Sequence, residues 1–189
     1  MTGLVLIRHG EPAAAWGGSA ADPGLSALGR EQARAAAERL SELGQLDVVS
    51  SPMRRCWETA APFAEATGRP PILEPRVSEV VAPPEVTDRR VWLQQTFPWR
   101  GGAPLLWTSL APELHAWREA MLGYVRGLNA DAAIFTHFIA INVIVGAALE
   151  RDETIVCRPA HASITELKLD CGALRLVRVG AEMANADVL

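Results

Sequence analysis

The chain has almost no lysine: of its 18 basic residues only Lys168 is one, and 22 acidic residues leave the 189 positions at a net charge of −4. A global basic field able to track nucleic acid is excluded, so a basic site has to be a local pocket. Cysteine is scarce and unpatterned. Cys56, Cys157 and Cys171 are odd in number, far apart and free of Cys-x-x-Cys spacing, which argues against a disulfide framework or a zinc knuckle and for a reducing compartment. No segment approaches the ~20 uninterrupted apolar residues of a membrane span. The amino terminus enters an apolar strand at once, with no basic region and cleavage site ahead of it. A soluble cytoplasmic protein is the expectation, with neither membrane nor nucleic acid as partner. Gly-x-x-x-x-Gly-Lys-[Ser/Thr] and Gly-x-Ser-x-Gly are also missing, so nucleoside-triphosphate and serine-hydrolase readings lack their turns.

Length favours one domain over two: residues 1–189, with an insertion. Leu4 to Ile7 is apolar and β-favouring and runs into Arg8-His9-Gly10. Ser26 is placed to cap a helix whose apolar positions are Ala33, Ala36, Leu40 and Leu43, stopped by Gly44. Leu46 to Ser50 reads as a short buried strand. Ser51-Pro52 reads as an N-cap with proline at the first helical position, opening a helix to about Thr67 with Met53, Cys56, Ala60, Phe63 and Ala64 inward. Pro70-Pro71 ends it, and Ile72 to Glu74 is a further short strand. Residues 80–110 are Pro- and Trp-rich without a clean period. Helix 114–128, strand 132–136 and helix 139–149 follow. Alternating segments 164–169 and 174–179 flank Asp170-Cys171-Gly172-Ala173 as a hairpin, and residues 181–189 are expected to fray.

The intervening helices require parallel strands, so three strand ends meet on one sheet edge. The first brings Arg8 and His9, the second Ser50, Ser51, Arg54 and Arg55, and the third Thr136 and His137. Guanidinium groups bind phosphate bidentately and helix amino termini favour anions. A histidine beside a phosphate so held can be its nucleophile.

These words, with Glu11, Leu25 to Ala33, Ser50 to Ala60, Phe135-Thr136-His137 and Ala162 to Leu167 in that order, resemble the histidine phosphatase superfamily, also called phosphoglycerate mutase-like. The resemblance implies a three-layer α/β/α sandwich, its sheet mostly parallel with a C-terminal antiparallel hairpin and an irregular cap at about 80–110. It implies a phosphomonoesterase for a small phosphorylated metabolite, needing neither metal nor other cofactor. His9 would attack phosphorus, Arg8 and Arg55 would hold the phosphoryl oxygens beside Gly10, and His137 would donate a hydrogen bond. Arg54 would point to solvent. Glu79 fits by position the acid that protonates the leaving group, with Glu11 and Glu85 as weaker alternatives.

The chain departs from the family's pattern in places. Ala13-Ala14-Ala15 stands where many members carry a phosphate-binding Asn, Phe138 where Gly follows the second His, and the Gly-x-Trp-x-Gly after the acid is missing. Phe138 either lines the pocket or packs in the core. Trp92, Phe97, Trp99, Trp107 and Trp117, with Arg89, Arg90 and Arg100, either form a lid favouring an aromatic or apolar substrate group or anchor a small core of their own. His115 and His161 lack metal spacing and read as structural or surface residues, His161 with a place on the rim in reserve. A mutase and a phosphate-sensing or protein-binding module are the rival readings. Substrate identity and a homodimer are left open.

Overall fold

The computed structural model describes residues 1–14, 22–100, 103 and 105–183. Six strands among these form one sheet in the order β3-β2-β4-β1-β5-β6, comprising β1 Thr2–Arg8, β2 Asp47–Ser50, β3 Ile72–Leu73, β4 Ala132–Thr136, β5 Ile164–Asp170 and β6 Ala173–Arg178. β3, β2, β4 and β1 pair in parallel, while β5 is antiparallel to β1 and β6 to β5. This is the expected α/β/α sandwich with its closing hairpin. Cys171 and Gly172 at the hairpin tip both have positive φ, 48° and 82°, the twist that a two-residue turn between right-twisted strands demands.

Alternation along the central strands splits the core into two layers. Val5 and Ile7 of β1 join Val48, Ala133 and Phe135 against α1 (Ala27–Ser41) and α2 (Arg54–Thr67). Leu4 and Leu6, with Val49 and Ile134, face α4 (Pro112–Arg126) and α5 (Phe138–Ala148) on the other side. Each fully buried aliphatic side chain contributes roughly 1.5–3 kcal/mol relative to exposure. That burial makes the central strands a stiff platform for whatever their ends carry. α5 is buried over most of its surface, as its continuous apolar sequence predicts.

Several local readings need correction. Ser26 does cap α1, its hydroxyl accepting from the Gly29 amide at 2.9 Å, but Leu43 lies beyond the helix and is exposed. α2 begins at Arg54, not at Pro52, with Met53 as its N-cap residue. Ser51 is turned toward His137 instead, so tertiary hydrogen bonding overrides the local capping signal. Met53 therefore stands outside the inward stripe, and Gly68, left-handed at φ 66°, ends the helix before Pro70 is reached. The cap is more regular than its composition suggests. It contains an eight-residue helix, α3 (Arg89–Thr96), started by Asp88, whose carboxylate accepts from Val91 N at 3.0 Å. Its aromatic residues follow tertiary neighbours rather than a period. Residues 184–189 of the segment expected to fray lie outside the described residues. No helix among the described residues is long and apolar enough to cross a membrane, and Cys56, Cys157 and Cys171 are free thiols.

Candidate active site

Register in the sheet sets the site. Arg8 pairs with Thr136 across β1 and β4, and Ser50 pairs with Phe135 across β2 and β4, so the residues that follow all leave from the carboxyl edge. Arg8, His9, Arg55, Glu79 and His137 converge there, each at most 6% exposed. The His9 and His137 ring centroids are 5.3 Å apart.

His9 Nδ1 lies 2.8 Å from the Gly10 carbonyl oxygen. A carbonyl only accepts, so Nδ1 carries the proton and Nε2 keeps its lone pair. Burial first, and then the charges of Arg55 and Arg8, push the imidazole's pKa well below its ordinary 6.5, so the neutral form dominates near neutral pH. His137 is fixed the other way round. Its Nδ1 accepts from the Arg55 guanidinium at 3.1 Å, leaving Nε2–H to donate to Ser51 Oγ at 2.9 Å. Burial and the same two arginines hold His137 neutral as well. The Cys56 Sγ sits 3.3 Å from His137 Nε2, and burial pushes its thiol up to about 12, which leaves it protonated.

The two arginines are buried cations. Arg8 donates from Nη1 to the Pro159 carbonyl at 2.8 Å and lies against the Met183 sulfur at 3.2 Å. Its burial lowers the pKa to about 10, so it stays charged at neutral pH. Arg55 reaches His137, the Met53 sulfur at 3.4 Å and, at 3.7 Å, the half-exposed Asp22 carboxylate. Among the described residues, the Nε atoms of both arginines are buried without a hydrogen-bond partner. A buried donor left unsatisfied costs about 1–3 kcal/mol, a cost that an anion's oxygens would remove.

Glu79 follows the 3-10 turn Pro75–Val77. One carboxylate oxygen accepts from Val80 N and the other from Ile139 N, both at 3.1 Å, the second being a free amide at the start of α5. Burial raises its pKa above 4.5, while those two amides, Arg55 and Arg89 oppose the rise. Glu11 is committed elsewhere, accepting from Ser26 Oγ at 2.7 Å, and Glu85 is exposed on the cap.

Two residues expected at the phosphate have other neighbours. The Gly10 amide donates to Thr59 Oγ1 at 2.9 Å. Gly10 is small because a Cβ there would come 2.6 Å from the Gly29 carbonyl oxygen. Phe138 is buried, its ring beneath the Arg8 guanidinium at 5.3 Å and edge-on to Trp99. The ring supports the cation from behind. Arg54 is exposed and pairs with Glu58 at 2.6 Å. Of the three alanines at 13–15, Ala15 lies outside the described residues. The stretch they begin has a pinned base, with Pro12 bridging Leu25 and Ala13 N bonded to Gly24 O at 2.8 Å.

His161 belongs to the cluster more closely than its spacing suggested: its ring is 5.7 Å from that of His9. His115 sits on α4. Ser51 is at this edge as the strand-end argument expects, Arg89 reaches it from the cap, and Ser78 carried no sequence signal. Ser51 Oγ lies 3.1 Å from Ser78 Oγ, and Arg89 donates to the Val80 carbonyl at 2.9 Å beside Glu79. Among the described residues no three His, Cys, Asp or Glu side chains cluster as a metal site.

A fold and an edge of this kind place the chain in a known class. The family model of the histidine phosphatase superfamily (branch 1) matches residues 4–182, and the chain belongs to that superfamily. Among curated relatives, it is 40% identical over 79 residues to a glucosyl-3-phosphoglycerate phosphatase of Mycolicibacterium vanbaalenii, a match covering 40% of this chain and 35% of that protein. It is 28% identical over 132 residues to a probable phosphoglycerate mutase GpmB of Yersinia enterocolitica, covering 67% and 53%. These matches span between about a third and half of the relatives' own lengths. The structure of a mycobacterial glucosyl-3-phosphoglycerate phosphatase superposes with a TM-score of 0.74 at 24% identity, over 97% of this chain and 100% of that one. Bacillus stearothermophilus YhfR gives 0.75 at 20%, over 99% and 100%. The fold is shared throughout.

Proposed function

We propose that the chain is a phosphomonoesterase working through a phosphohistidine on His9 without a metal, on a small phosphorylated metabolite, and that residues 1–189 act as one unit with the cap at 80–110. The observation that carries this reading is a neutral, buried His9 whose Nε2 lone pair is fixed by the Nδ1–Gly10 bond between two buried guanidinium groups with unsatisfied donors. A lone pair beside cations that bind phosphate is the pairing needed for phosphoryl transfer.

In this scheme the ester's phosphoryl oxygens lie on Arg8 and Arg55, and His9 Nε2 forms the N–P bond as the ester P–O bond breaks. The departing alkoxide takes the proton of Glu79, whose burial favours the carboxylic acid. His137 turns its Nε2–H from Ser51 to a phosphoryl oxygen and steadies the charge developing there. Water then attacks phosphorus, Glu79 takes its proton, and the N–P bond breaks to give inorganic phosphate and free His9.

Rapid-quench mass spectrometry with a generic aryl phosphate in excess EDTA tests the reading. An acid-labile, alkali-stable phosphoryl adduct on His9, formed and lost at the rate of phosphate release, is expected. Turnover without that adduct, or turnover abolished by EDTA and restored by metal, overturns it. Recovery of the phosphoryl group on a second hydroxyl instead of as inorganic phosphate would make the chain a mutase.

A further inference from the structure

The cap carries a second concave surface. A cleft of about 700 Å³ lies between residues 80–85, α3 and the start of α4, with Pro83, Trp92, Leu114 and Trp117 among its walls. That size falls within the roughly 300–1,000 Å³ of small-ligand sites. None of Arg8, His9, Arg55, Glu79 and His137 lines it.

Its charge is opposite to that of the strand-end cluster. Glu85 and Glu113 are its charged lining residues, and neither carboxylate has an ion pair or side-chain hydrogen bond among the described residues. Trp92 and Trp117, both half-buried, line the same cleft as these carboxylates. The same aromatic cluster already holds one cation, with the Arg118 guanidinium 5.5 Å over the ring of Trp107, which itself packs on Trp117. A ligand matching all three features has an apolar body and a positively charged head, because indole faces and carboxylates both favour a cation while Pro, Leu and Trp walls favour hydrocarbon.

We propose that the cap cleft is a binding site for a free organic ammonium ion with an apolar or aromatic body, separate from the phosphoryl site. The two sites share one wall. Val80 is among the residues that line the cleft, and its amide donates to Glu79 while its carbonyl accepts from Arg89. An occupant packed on Val80 therefore bears on the segment that holds the Glu79 carboxyl.

Tryptophan fluorescence of the full chain, titrated with benzyltrimethylammonium chloride, tests the site without using turnover, so its failure is distinct from failure of the phosphatase reading. A saturable change with a Kd in the ~mM range or below is expected. It should be at least ~10-fold weaker in the Glu85→Gln/Glu113→Gln double variant, whose exposed positions leave the fold intact. Trp92→Phe should diminish the signal, benzyl alcohol should not reproduce it, and inorganic phosphate should not displace the cation. A linear response, an equal response to benzyl alcohol, an undiminished signal in Trp92→Phe or undiminished affinity in the double glutamine variant overturns the proposal. Displacement by phosphate overturns it too, because the cleft would then be part of the phosphoryl site.

Discussion

At the strand ends the buried side chains are largely polar, and the ionisable ones are oriented by named partners: His9 by Gly10, His137 by Arg55 and Ser51, and Glu79 by Val80 and Ile139. Among the described residues of the cap the buried side chains are Val80, Leu93, Phe97, Trp99 and Trp107, held by packing such as the Phe97–Trp107 ring contact at 5.8 Å. One region is fixed by hydrogen bonds, which specify direction, and the other by packing, which specifies volume. Substitutions should therefore separate them: strand-end changes remove chemistry and leave the fold, while cap-core changes weaken the fold and leave the chemistry of what remains folded.

The largest effect is expected from His9→Ala, a loss of at least ~10⁴-fold in turnover of an aryl phosphate with circular dichroism and urea midpoint close to the parent's. Next, Trp107→Ala should cost about 3–5 kcal/mol of unfolding free energy, read by urea titration, with kcat/KM per folded molecule nearly unchanged. Equal damage to both quantities in either variant would erase the contrast. Arg55→Ala should remove about 3 kcal/mol of transition-state stabilisation, read as kcat/KM, and Arg55→Lys should not restore it because an ammonium lacks the planar fork. Arg54→Ala, one residue away but exposed, should change kcat/KM by less than ~2-fold.

Glu79→Gln should lower kcat/KM by ~10² for an alkyl phosphate and far less for an aryl phosphate, whose leaving group needs no proton. The pH profile sharpens this. In the proposed scheme activity requires neutral His9, whose depressed pKa places the acid limb well below 6.5, and protonated Glu79, whose raised pKa places the alkaline limb above 4.5. Glu79→Gln should abolish the alkaline limb alone. In stability the two groups also oppose each other. The unfolded chain takes up the His9 proton first, so that contribution is present above about 6.5 and lost as pH falls below it. Glu79 contributes fully below its unfolded value of about 4.5, and that contribution is lost as pH rises through its raised folded pKa.

Strand assignment, layer order and the hairpin were legible because alternation and helical spacing are properties of neighbouring residues. The convergence of Arg8, Arg55, Glu79 and His137 was legible through the parallel-strand argument and the family's spacing. Ser51 was misread because capping is a local rule and its hydroxyl is taken by His137 from another strand. His161 could not be placed by metal spacing, since its loop meets His9 through backbone bonds from Ala162 N to the Arg8 and His9 carbonyls. α3 escaped because Trp92 packs on Phe97, five residues on, and Phe97 on Trp107 of the same insertion, contacts that follow no helical spacing.

The back-to-back approach of Gly10 and Gly29 locks the first turn of α1 onto the residue after His9, and the Pro12–Leu25 bridge closes the stretch between them at its base. Lengthening chain between such fixed ends costs closure entropy that grows only logarithmically, ~0.6 kcal/mol for each doubling. The imidazole thus keeps its address through the glycine contact, while Asp22, 3.7 Å from Arg55, ties the guanidinium to how the chain returns to α1.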